Sequence, residues 1–361
     1  MKAIVLVGGE GTRLRPLTLT TPKPLLPIAN VAFLERQLTW LAGFGVDEAI
    51  LSMGYLPDAF RAHFDGDQFN GMRLRYAVEE KPLGTAGGIR FAAEGINERV
   101  VVCNGDVLTA LDLGAMLEFH EQRGAQASIY LCRVDDPSMF GVVPTRDDGE
   151  VIGFIEKPPR DQAPTNWINA GTYILEPSVF ERIPSRVNVS IERETFPRMV
   201  ETRGALYAFA YDGYWLDIGT PEKYLQAHTD ILAGALGGAP TSSARELRPG
   251  IWVEGEVDVH PEARLHAPVL IGSGTSIEAG TSITNSVIGA GASIGAGANL
   301  LRAVVHNDAQ IGARAEVVDS VIGVGARLGA ESGCDDTTLV GARATLDAAT
   351  RLSGGRVAAN A

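Results

Sequence analysis

From residue 2 to about residue 233, short apolar runs alternate with segments whose apolar residues recur every three or four positions. The short runs predict buried strands, and the periodic segments predict helices. The predicted strands are residues 3–7, 49–53, 73–78, 100–103 and 127–134, and the predicted helices include residues 33–41, 85–93 and 113–123. This alternation is typical of a parallel sheet with helices on both faces. We therefore predict a doubly wound, mostly parallel α/β domain.

Beyond residue 250 the apolar pattern becomes a repeat of 17 residues. The aliphatic residues that open successive units are Ile271, Ile288, Val305 and Ile322. Further apolar positions follow at steps of six, with small residues between them, which predicts a left-handed parallel β-helix of hexapeptide repeats. Because one coil cannot bury its own apolar face, such coils are stable only as a stack.

His306 departs from this repeat, because the equivalent position in neighbouring units is glycine. Some β-helix enzymes use a histidine base for acyl transfer. A lone histidine at a coil corner is more often a turn residue, however, and the sequence offers no identifiable groove for an acyl donor. We therefore predict that His306 lies in a turn and has no catalytic role.

The boundary between the two patterns is rich in small and turn-forming residues. It includes Gly237, Gly238 and Pro240, followed by Pro249 and Gly250. Such composition is typical of a linker. We predict an α/β domain at residues 1–233, a linker at 234–250 and a β-helix domain at 251–361.

The charge and cysteine content restrict the function classes. The formal net charge of the 361 residues is -13, which argues against partners such as nucleic acid or an anionic membrane surface. Cys103, Cys132 and Cys334 are far apart and lack metal-ligand spacing, so we expect buried thiols in a reducing compartment. No apolar run approaches the ~20 residues of a membrane span, and we predict a cytoplasmic protein.

A glycine-rich loop follows the first predicted strand, with glycines at Gly8, Gly9 and Gly11. Without Cβ atoms, this backbone can approach a phosphate closely and leaves its N–H groups to bind it. The cations in the same short stretch are Arg13, Arg15 and Lys23. Neither the dinucleotide fingerprint nor the P-loop matches, because Leu14 stands where the fingerprint needs glycine and Gly-Lys-Ser/Thr is absent. We predict a polyphosphate ligand.

Residues 8–18 together with Pro22-Lys23-Pro24 resemble the signature of the sugar-1-phosphate nucleotidyltransferases, and further details resemble the mannose-1-phosphate guanylyltransferase branch. The resemblance implies that a nucleoside triphosphate and a sugar 1-phosphate give a nucleotide sugar and pyrophosphate, with GTP and mannose 1-phosphate as the expected pair. It also implies a Rossmann-like nucleotidyltransferase domain. The attacking phosphate oxygen is already ionised, so catalysis consists mainly of aligning two anions.

The resemblance assigns phosphate contacts to two of the cations. Arg13 suits the triphosphate, because its guanidinium can follow charge onto the leaving pyrophosphate. Lys23 suits the acceptor phosphate or the α-phosphate, and Lys157 is the third expected catalytic cation. The residues expected at the nucleotide are Gly8, Gly9, Gly11, Thr12, Arg13, Glu79, Gly84 and Asn104.

Two carboxylates are candidate ligands of Mg²⁺. Asp106 follows the strand at 100–103, and Asp217 precedes a helix that Pro221 can begin. Mg²⁺ commonly binds one or two protein carboxylates and completes its octahedron with phosphate oxygens and water. Either aspartate alone would more often be a turn or cap residue, but both segments resemble the metal-binding segments of the family.

Glu79 is the candidate for recognising the base. Guanine presents two adjacent donors, N1–H and the 2-amino group, and a carboxylate can accept both. Glu79 stands five residues before Gly84, where thymidine-using relatives carry a glutamine, so the resemblance favours guanine. The alternative, that Glu79 and Glu80 are solvated surface charges, remains open.

A later group of residues is expected to bind the sugar phosphate. The resemblance places Phe-x-Glu-Lys-Pro at residues 154–158 in the sugar pocket, and glycines allow close backbone approach. The expected contacts are Lys23, Gly141, Glu156, Lys157, Asn169 and Gly171. Residues 190–197 also resemble the guanylyltransferase branch, without a separate chemical role.

Three alternatives remain open. The acceptor could be another sugar or a cyclitol 1-phosphate, and the base could be thymine or uracil. A non-catalytic subunit that senses a nucleotide sugar is the third, although the chain retains Arg13, Lys23, Asp106, Lys157 and Asp217. The flat faces and open end of a short β-helix offer assembly surfaces, so we predict a homo-oligomer.

Overall fold

The computed structural model describes residues 1–358. The chain divides into two compact units: unit 1 contains residues 1–9 and 36–215, and unit 2 contains residues 10–35 and 216–361. The domain boundaries predicted at residues 233 and 251 stay a prediction. In the division by contacts, residues 10–35 and 216–233 group with the β-helix, a long-range arrangement that local apolar patterns do not report.

Unit 1 is built on a mixed sheet. Its longer strands are β1 (Lys2–Leu6), β2 (Glu48–Met53), β3 (Met72–Val78), β4 (Val100–Asn104), β5 (Ala127–Arg133), β6 (Trp167–Leu175) and β7 (Leu206–Ala210). In the centre, β1 pairs in parallel with β2 and β4, and β2 pairs in parallel with β3. The predicted α/β class is confirmed. The sequence did not predict that β6 runs antiparallel to β4 and β5.

Helices and short strands complete this part of the chain. The helices are α1 (Phe33–Gly43), α2 (Pro57–Phe64), α3 (Gly84–Ala92), α4 (Leu113–Arg123), α5 (Pro177–Glu181) and α6 (Phe196–Val200). The short strands are Gln68–Phe69, Val107–Thr109, Gly141–Val142 and Ile155–Glu156. The predicted helices at 85–93 and 113–123 correspond to α3 and α4. Asp112 begins α4 by accepting a hydrogen bond from Ala115 N, and Gly124 ends it in the left-handed conformation.

The core of unit 1 explains the apolar runs. Ala3, Ile4 and Val5 of β1 are fully buried, because the strand is covered on both faces. Ile4 belongs to one apolar cluster with side chains of β4, β5 and β6, among them Val102, Ile129 and Tyr173. The carboxyl ends of β1, β2, β3 and β4, where ligands bind on such sheets, are therefore held by a rigid core.

Unit 2 begins with the loop region at residues 10–35. Three short turns of 3₁₀-helix, Thr12–Leu14, Leu17–Leu19 and Lys23–Leu25, lead into a hairpin of Pro27–Ile28 and Val31–Ala32. Helix α7 (Pro221–Leu232) follows in the later part of the chain. Ala244–Arg248, within the predicted linker, forms a strand antiparallel to Ile251–Glu254.

The β-helix has the predicted register. Ile271 pairs with Ile288, Ile288 with Val305, and Val305 with Ile322 in parallel ladders. Ile322 then pairs with Val340, so the last coils are one residue longer. The remaining strands of the β-helix are Asp258–Val259, Arg264–Ile271, Ser276–Ile277, Ser282–Ile288, Ser293–Ile294, Asn299–Leu301, Val304–Val305, Gln310–Ile311, Glu316–Val318, Val321–Ile322, Arg327–Leu328, Gly333–Asp335, Leu339–Val340, Thr345–Leu346, Arg351–Ser353 and Arg356–Val357.

The prediction that the three cysteines are buried thiols is confirmed. Cys103, Cys132 and Cys334 are free and buried. Burial raises the pKa of the Cys103 and Cys132 thiols to about 12 and that of Cys334 to about 11, so all three are protonated at neutral pH. In residues 1–358, none of the helices combines the length and apolar character needed to cross a membrane.

Candidate active site

The glycine loop begins in unit 1, directly after β1. A Cβ added to Gly9 would meet nothing within 4 Å, and one added to Gly8 would lie at an ordinary 3.5 Å from Gly54 N. Both glycines are exposed. Packing therefore does not require glycine at either position. The absence of side chains leaves the backbone accessible, as the predicted phosphate contact needs.

Asn104 and Asp106 lie beside the end of β1. Asn104 ends β4 opposite Leu6, and Gly105 N donates a 2.8 Å hydrogen bond to Leu6 O. A Cβ on Gly105 would lie 2.6 Å from Leu6 O, so the turn requires glycine. This close backbone contact fixes the half-buried Asp106 at the ligand-binding edge of the sheet.

Glu79 has a structural role in the turn after β3. One carboxylate oxygen accepts a hydrogen bond from Ser52 Oγ at 3.0 Å, and the other accepts one from Leu83 N at 2.9 Å. A Cβ on Gly88 would lie 2.7 Å from Glu79 Oε1, so the carboxylate also lies close against α3. Each oxygen retains a second lone pair. A guanine contact therefore stays a prediction, and of the two glutamates only Glu80 is exposed.

Gly84, the other nucleotide residue predicted near Glu79, begins α3. Its φ of +70° is the left-handed conformation that favours glycine, and a Cβ would lie 2.6 Å from Val189 O. Val189 N in turn donates a 2.9 Å hydrogen bond to Leu83 O. The start of α3 is thus held against the segment that precedes residues 190–197.

Asn169 and Gly171 lie in an irregular part of β6. The register against β5 shifts between Asn169 and Tyr173, and Gly171 has a φ of +76°. Gly171 N donates to Asn169 Oδ1 at 3.1 Å, and a Cβ on Gly171 would lie 2.6 Å from Asn104 Nδ2. The irregularity therefore brings a predicted sugar residue and a predicted nucleotide residue together, as bulges beside active sites commonly do.

The other predicted sugar residues lie on two short paired strands. Gly141 pairs with Glu156, and a Cβ on Gly141 would lie 3.3 Å from Glu156 Oε2. Glu156 Oε1 lies 3.9 Å from Lys157 Nζ and 3.5 Å from Arg193 Nη2. The Lys157 side chain is 54% exposed, so it is accessible to a ligand.

The sequence alone did not predict that Glu192 is the centre of a hydrogen-bond network. Glu192 lies in a π-helical turn, Ile191–Thr195, and its Oε2 accepts hydrogen bonds from Thr85 Oγ1 and Ser190 Oγ, both at 2.8 Å. Tyr173 donates to its Oε1 at 3.5 Å and accepts from Asn169 Nδ2 at 2.9 Å. Burial and the Glu192 charge raise the pKa of Tyr173 well above its usual value.

Glu192 thus joins the start of α3 to Asn169 through hydrogen bonds. π-Helical turns occur frequently at functional sites. In the sequence, the resemblance of residues 190–197 to one enzyme branch is the signal that points to this segment, but it does not identify the network.

In unit 2 the glycine loop packs against the Lys23 side chain. Gly11 is left-handed, and a Cβ there would lie 3.0 Å from both Lys23 Cβ and Thr18 Cγ2. Thr18 Oγ1 donates a 2.8 Å hydrogen bond to Gly11 O. Thr12 begins the following 3₁₀ turn and is exposed. The loop backbone therefore determines where the Lys23 stem lies.

Arg13 and Asp217 belong to neighbouring segments of unit 2. A Cβ on Gly219 would lie 2.7 Å from Arg13 Nη2, so the guanidinium lies against the backbone two residues after Asp217. Thr220 begins α7 there and accepts a hydrogen bond from Lys223 N. Arg15 differs from Arg13, since it forms an exposed 2.8 Å ion pair with Glu10.

The residues predicted as metal ligands have suitable chemistry. Carboxylate oxygens such as those of Asp106 and Asp217 are preferred ligands of Mg²⁺. In the described part of the chain, His, Cys, Asp and Glu side chains do not gather in groups of three or more that could hold a metal ion. Mg²⁺ bound by only one or two protein carboxylates completes its coordination with phosphate oxygens and water.

Comparison with known proteins identifies the family. The sequence model described as "Nucleotidyl transferase" matches residues 2–234. The chain belongs to this family. A second model, described as "EIF2B subunit epsilon LbH domain", matches residues 248–352 and agrees with the left-handed β-helix. The predicted resemblance to sugar-1-phosphate nucleotidyltransferases is confirmed.

Individual relatives support the assignment. The chain is 41% identical to "Mannose-1-phosphate guanylyltransferase" of Mycobacterium tuberculosis, over 79% of each chain. It is 39% identical to "Mannose-1-phosphate guanylyltransferase 1" of Arabidopsis thaliana, over 80% of this chain and 79% of the relative. The crystal structure of HddC from Yersinia pseudotuberculosis complexed with GMP-PN superposes with a TM-score of 0.55 at 31% identity, covering 64% of this chain and 99% of HddC.

Proposed function

We propose that this protein transfers a guanylyl group from GTP to mannose 1-phosphate, giving GDP-mannose and pyrophosphate. The observation that carries the proposal is the identity to mannose-1-phosphate guanylyltransferases, which extends over about four-fifths of the chain. The retained Arg13, Lys23 and Asp106 support catalysis rather than nucleotide-sugar sensing.

The residues of this chain perform the reaction by charge and position. The backbone of Gly8, Gly9 and Gly11 receives the phosphates of the nucleotide. Arg13 binds the triphosphate and stabilises charge that develops on the leaving pyrophosphate. Lys23 binds either the acceptor phosphate, which attacks, or the α-phosphate, which is attacked. The nucleophile is an ionised phosphate oxygen, so a general base is not required.

A divalent cation belongs to this mechanism, and we propose Mg²⁺. Asp106 and Asp217 would hold it, and bound Mg²⁺ neutralises phosphate charge. Substitution of either aspartate by asparagine should weaken the binding of Mg²⁺. The measurement is the Mg²⁺ concentration that gives half-maximal pyrophosphate release, which should rise in Asp106→Asn and Asp217→Asn.

Glu79 favours guanine in this proposal. Its carboxylate accepts from Ser52 and Leu83 N and retains lone pairs for N1–H and the 2-amino group of the base. In Glu79→Gln, an amide N–H₂ replaces one acceptor, so preference for GTP over dTTP should fall by roughly 5-fold to 150-fold. An unchanged preference would contradict the assigned base contact.

The sugar phosphate is bound by a second set of groups. Glu156 accepts from sugar hydroxyls, Lys157 binds the phosphate, and Asn169 both donates and accepts. Glu156→Gln should therefore raise KM for the sugar phosphate more than KM for the nucleotide. Equal effects on both KM values would argue against a sugar contact.

We also propose that the protein is cytoplasmic and forms homo-oligomers through its β-helix. The free, buried cysteines are consistent with a reducing compartment. The oligomer is tested by light scattering of the purified chain, where a single monomeric species at working concentration would contradict it.

The main test measures pyrophosphate release by purified protein with each nucleoside triphosphate and a panel of sugar and cyclitol 1-phosphates. We expect the highest kcat/KM with GTP and mannose 1-phosphate. A higher value with another acceptor or base would replace the proposed substrate. Absence of release with every pair, when nucleotide-sugar binding persists, would instead support a sensing subunit.

A further inference from the structure

His306 does not face solvent as a coil-corner turn residue would. It directly precedes the corner at Asn307 and Asp308, and its imidazole is only 4% exposed. The ring lies against Tyr224 of α7, whose side chain is fully buried. Burial lowers the pKa of His306 to about 4, so the imidazole is neutral at pH 7. The departure from the repeat glycine therefore has a structural consequence inside unit 2.

Tyr224 joins His306 to the loop region by two hydrogen bonds. Its hydroxyl donates to Pro27 O, and His306 Nε2 lies 3.0 Å from the same hydroxyl oxygen. Because the tyrosine proton is used toward Pro27, the oxygen must accept from His306, which fixes the imidazole with its proton on Nε2. The His306 imidazole, the Tyr224 hydroxyl and the Pro27 carbonyl therefore form a hydrogen-bond chain from the β-helix to the loop.

The turn of the hairpin that contains Pro27 is also held by hydrogen bonds. Ala29 and Asn30 both have positive φ, and Ala29 N donates to His228 Nδ1 of α7 at 3.1 Å. Asn30 Nδ2 donates to Glu254 Oε2 at 2.9 Å and to Ile288 O at 3.0 Å, both in the β-helix region. Each contact fixes backbone or turn atoms that a free loop would leave to water.

Lys23 lies in the turn that enters this hairpin. Leu26 N donates to Lys23 O at 3.1 Å, and Phe33 N donates to Leu26 O at 3.0 Å across the hairpin. Pro27 follows Leu26 directly. A shift of the Pro27 carbonyl would therefore move the backbone that supports Lys23, within four residues of its Cα.

We propose that His306 and Tyr224 are positioning residues for Lys23, so that the β-helix takes part in turnover by fixing the loop that bears this cation. The inference rests on the proposed function, in which Lys23 acts on a reacting phosphate. Neither residue touches substrate in this account. They act through the Pro27 carbonyl and the 3₁₀ turn of Lys23–Leu25.

The first variant is Tyr224→Phe, which keeps the ring and removes both hydrogen bonds. We expect kcat to fall about tenfold with little change in KM for GTP, because Lys23 acts on the transition state. Tyr76→Phe is the matched control: it removes a 2.7 Å hydrogen bond to Gly66 O in unit 1 and should leave kcat unchanged. Equal kcat in Tyr224→Phe and wild type would overturn the proposal.

A double-mutant cycle with Lys23→Ala separates positioning from general destabilisation. If Tyr224 acts through Lys23, adding Tyr224→Phe to Lys23→Ala should lower kcat by less than about twofold. If Tyr224 only supports the fold, the tenfold loss should appear in both backgrounds. That additive result would contradict a positioning role.

Two substitutions at His306 test the hydrogen bond between His306 and Tyr224. In His306→Gln, the amide N–H₂ can donate to Tyr224 as Nε2 does, and we expect kcat within about threefold of wild type. In His306→Gly, the usual repeat residue, the donor is lost and kcat should fall as in Tyr224→Phe. Equal kcat in the two variants would show that the hydrogen bond is not used.

Hydrogen exchange gives a readout independent of turnover. The amides of Leu26 and Ala29 should exchange about tenfold faster in Tyr224→Phe than in wild type, because the hairpin opens more often. Unchanged exchange would overturn the inference even if the protein had another activity. If wild type released no pyrophosphate but exchange were faster in the variant, the proposed function would be rejected. The role of Tyr224 in holding the hairpin would still be supported.

Discussion

The two units hold their candidate ligand residues in different ways. In unit 1, side chains hold one another: Asn169 donates to Tyr173, and Thr85 donates to Glu192. In unit 2, backbone geometry supports the cations, since Gly11 packs against the Lys23 stem and Gly219 against the Arg13 guanidinium.

This difference predicts what a substitution should change. A side-chain network transmits the loss of one member to the others, so variants in unit 1 should alter KM, specificity and stability together. A cation supported by backbone can be removed with little effect on its surroundings. Substitution of Arg13 or Lys23 should therefore lower turnover while the fold stays intact.

The largest effect is expected from Lys23→Ala. Removing a cation that acts on developing charge should lower kcat on the order of 100-fold, with the unfolding temperature close to that of wild type. Steady-state pyrophosphate release and a thermal melt measure the two quantities. Arg15→Ala is the control from the same loop: its exposed pair with Glu10 contributes roughly 0 to 1 kcal/mol, and kcat should hardly change.

Gly171→Ala should cost both stability and turnover. The alanine Cβ would lie 2.6 Å from Asn104 Nδ2 and would have to adopt a φ of +76°. We expect the free energy of unfolding to fall by about 2 kcal/mol. Gly45→Ala separates the two causes, because Gly45 has a φ of +80° but no neighbour within 4 Å of the added Cβ. If both variants retain the activity of wild type, close approach at Gly171 has no functional importance.

Much of the fold could be predicted from the sequence where the signal is local. Buried runs such as Ala3 to Val5 and the register from Ile271 to Ile322 are direct consequences of side-chain burial with a fixed period. The glycine loop was identifiable because the family resemblance depends on the residue types of one short segment. These predictions require no knowledge of which distant segments meet.

The remaining features depend on long-range contacts. The antiparallel direction of β6 is invisible to apolar periodicity, because either direction buries the same residues. The grouping of residues 10–35 with the β-helix depends on pairs such as Tyr224 and Pro27, 197 residues apart. Glu192 was missed for the same reason, since its partner Thr85 lies 107 residues away.

Glu192→Gln should have a smaller effect than Gly171→Ala. The amide can accept from Thr85 or Ser190 but loses the charge that strengthens both hydrogen bonds, which are worth roughly 1.5 to 3 kcal/mol when charged and about half that when neutral. We expect kcat/KM for the sugar phosphate to fall about tenfold. The exposed Glu181, changed to glutamine, should leave the kinetics unaltered. Wild-type kinetics in Glu192→Gln would show that the network does not support the sugar residues.

The smallest effect concerns His306 and appears only below neutral pH. Its pKa in the folded state is about 4, below the ~6.5 of an unfolded histidine, so the unfolded chain binds more protons between these values. The stabilising contribution of neutral His306 is therefore fully present above about pH 6.5. It is lost as the pH falls toward 4, and stability decreases by about 1 kcal/mol between pH 7 and pH 5.5. Urea unfolding of wild type and His306→Gln over this range measures the contribution, because glutamine keeps a donor for Tyr224 and does not titrate. The two profiles should converge as the pH is lowered if wild type is the more stable at pH 7; parallel profiles would mean that the buried imidazole does not resist protonation.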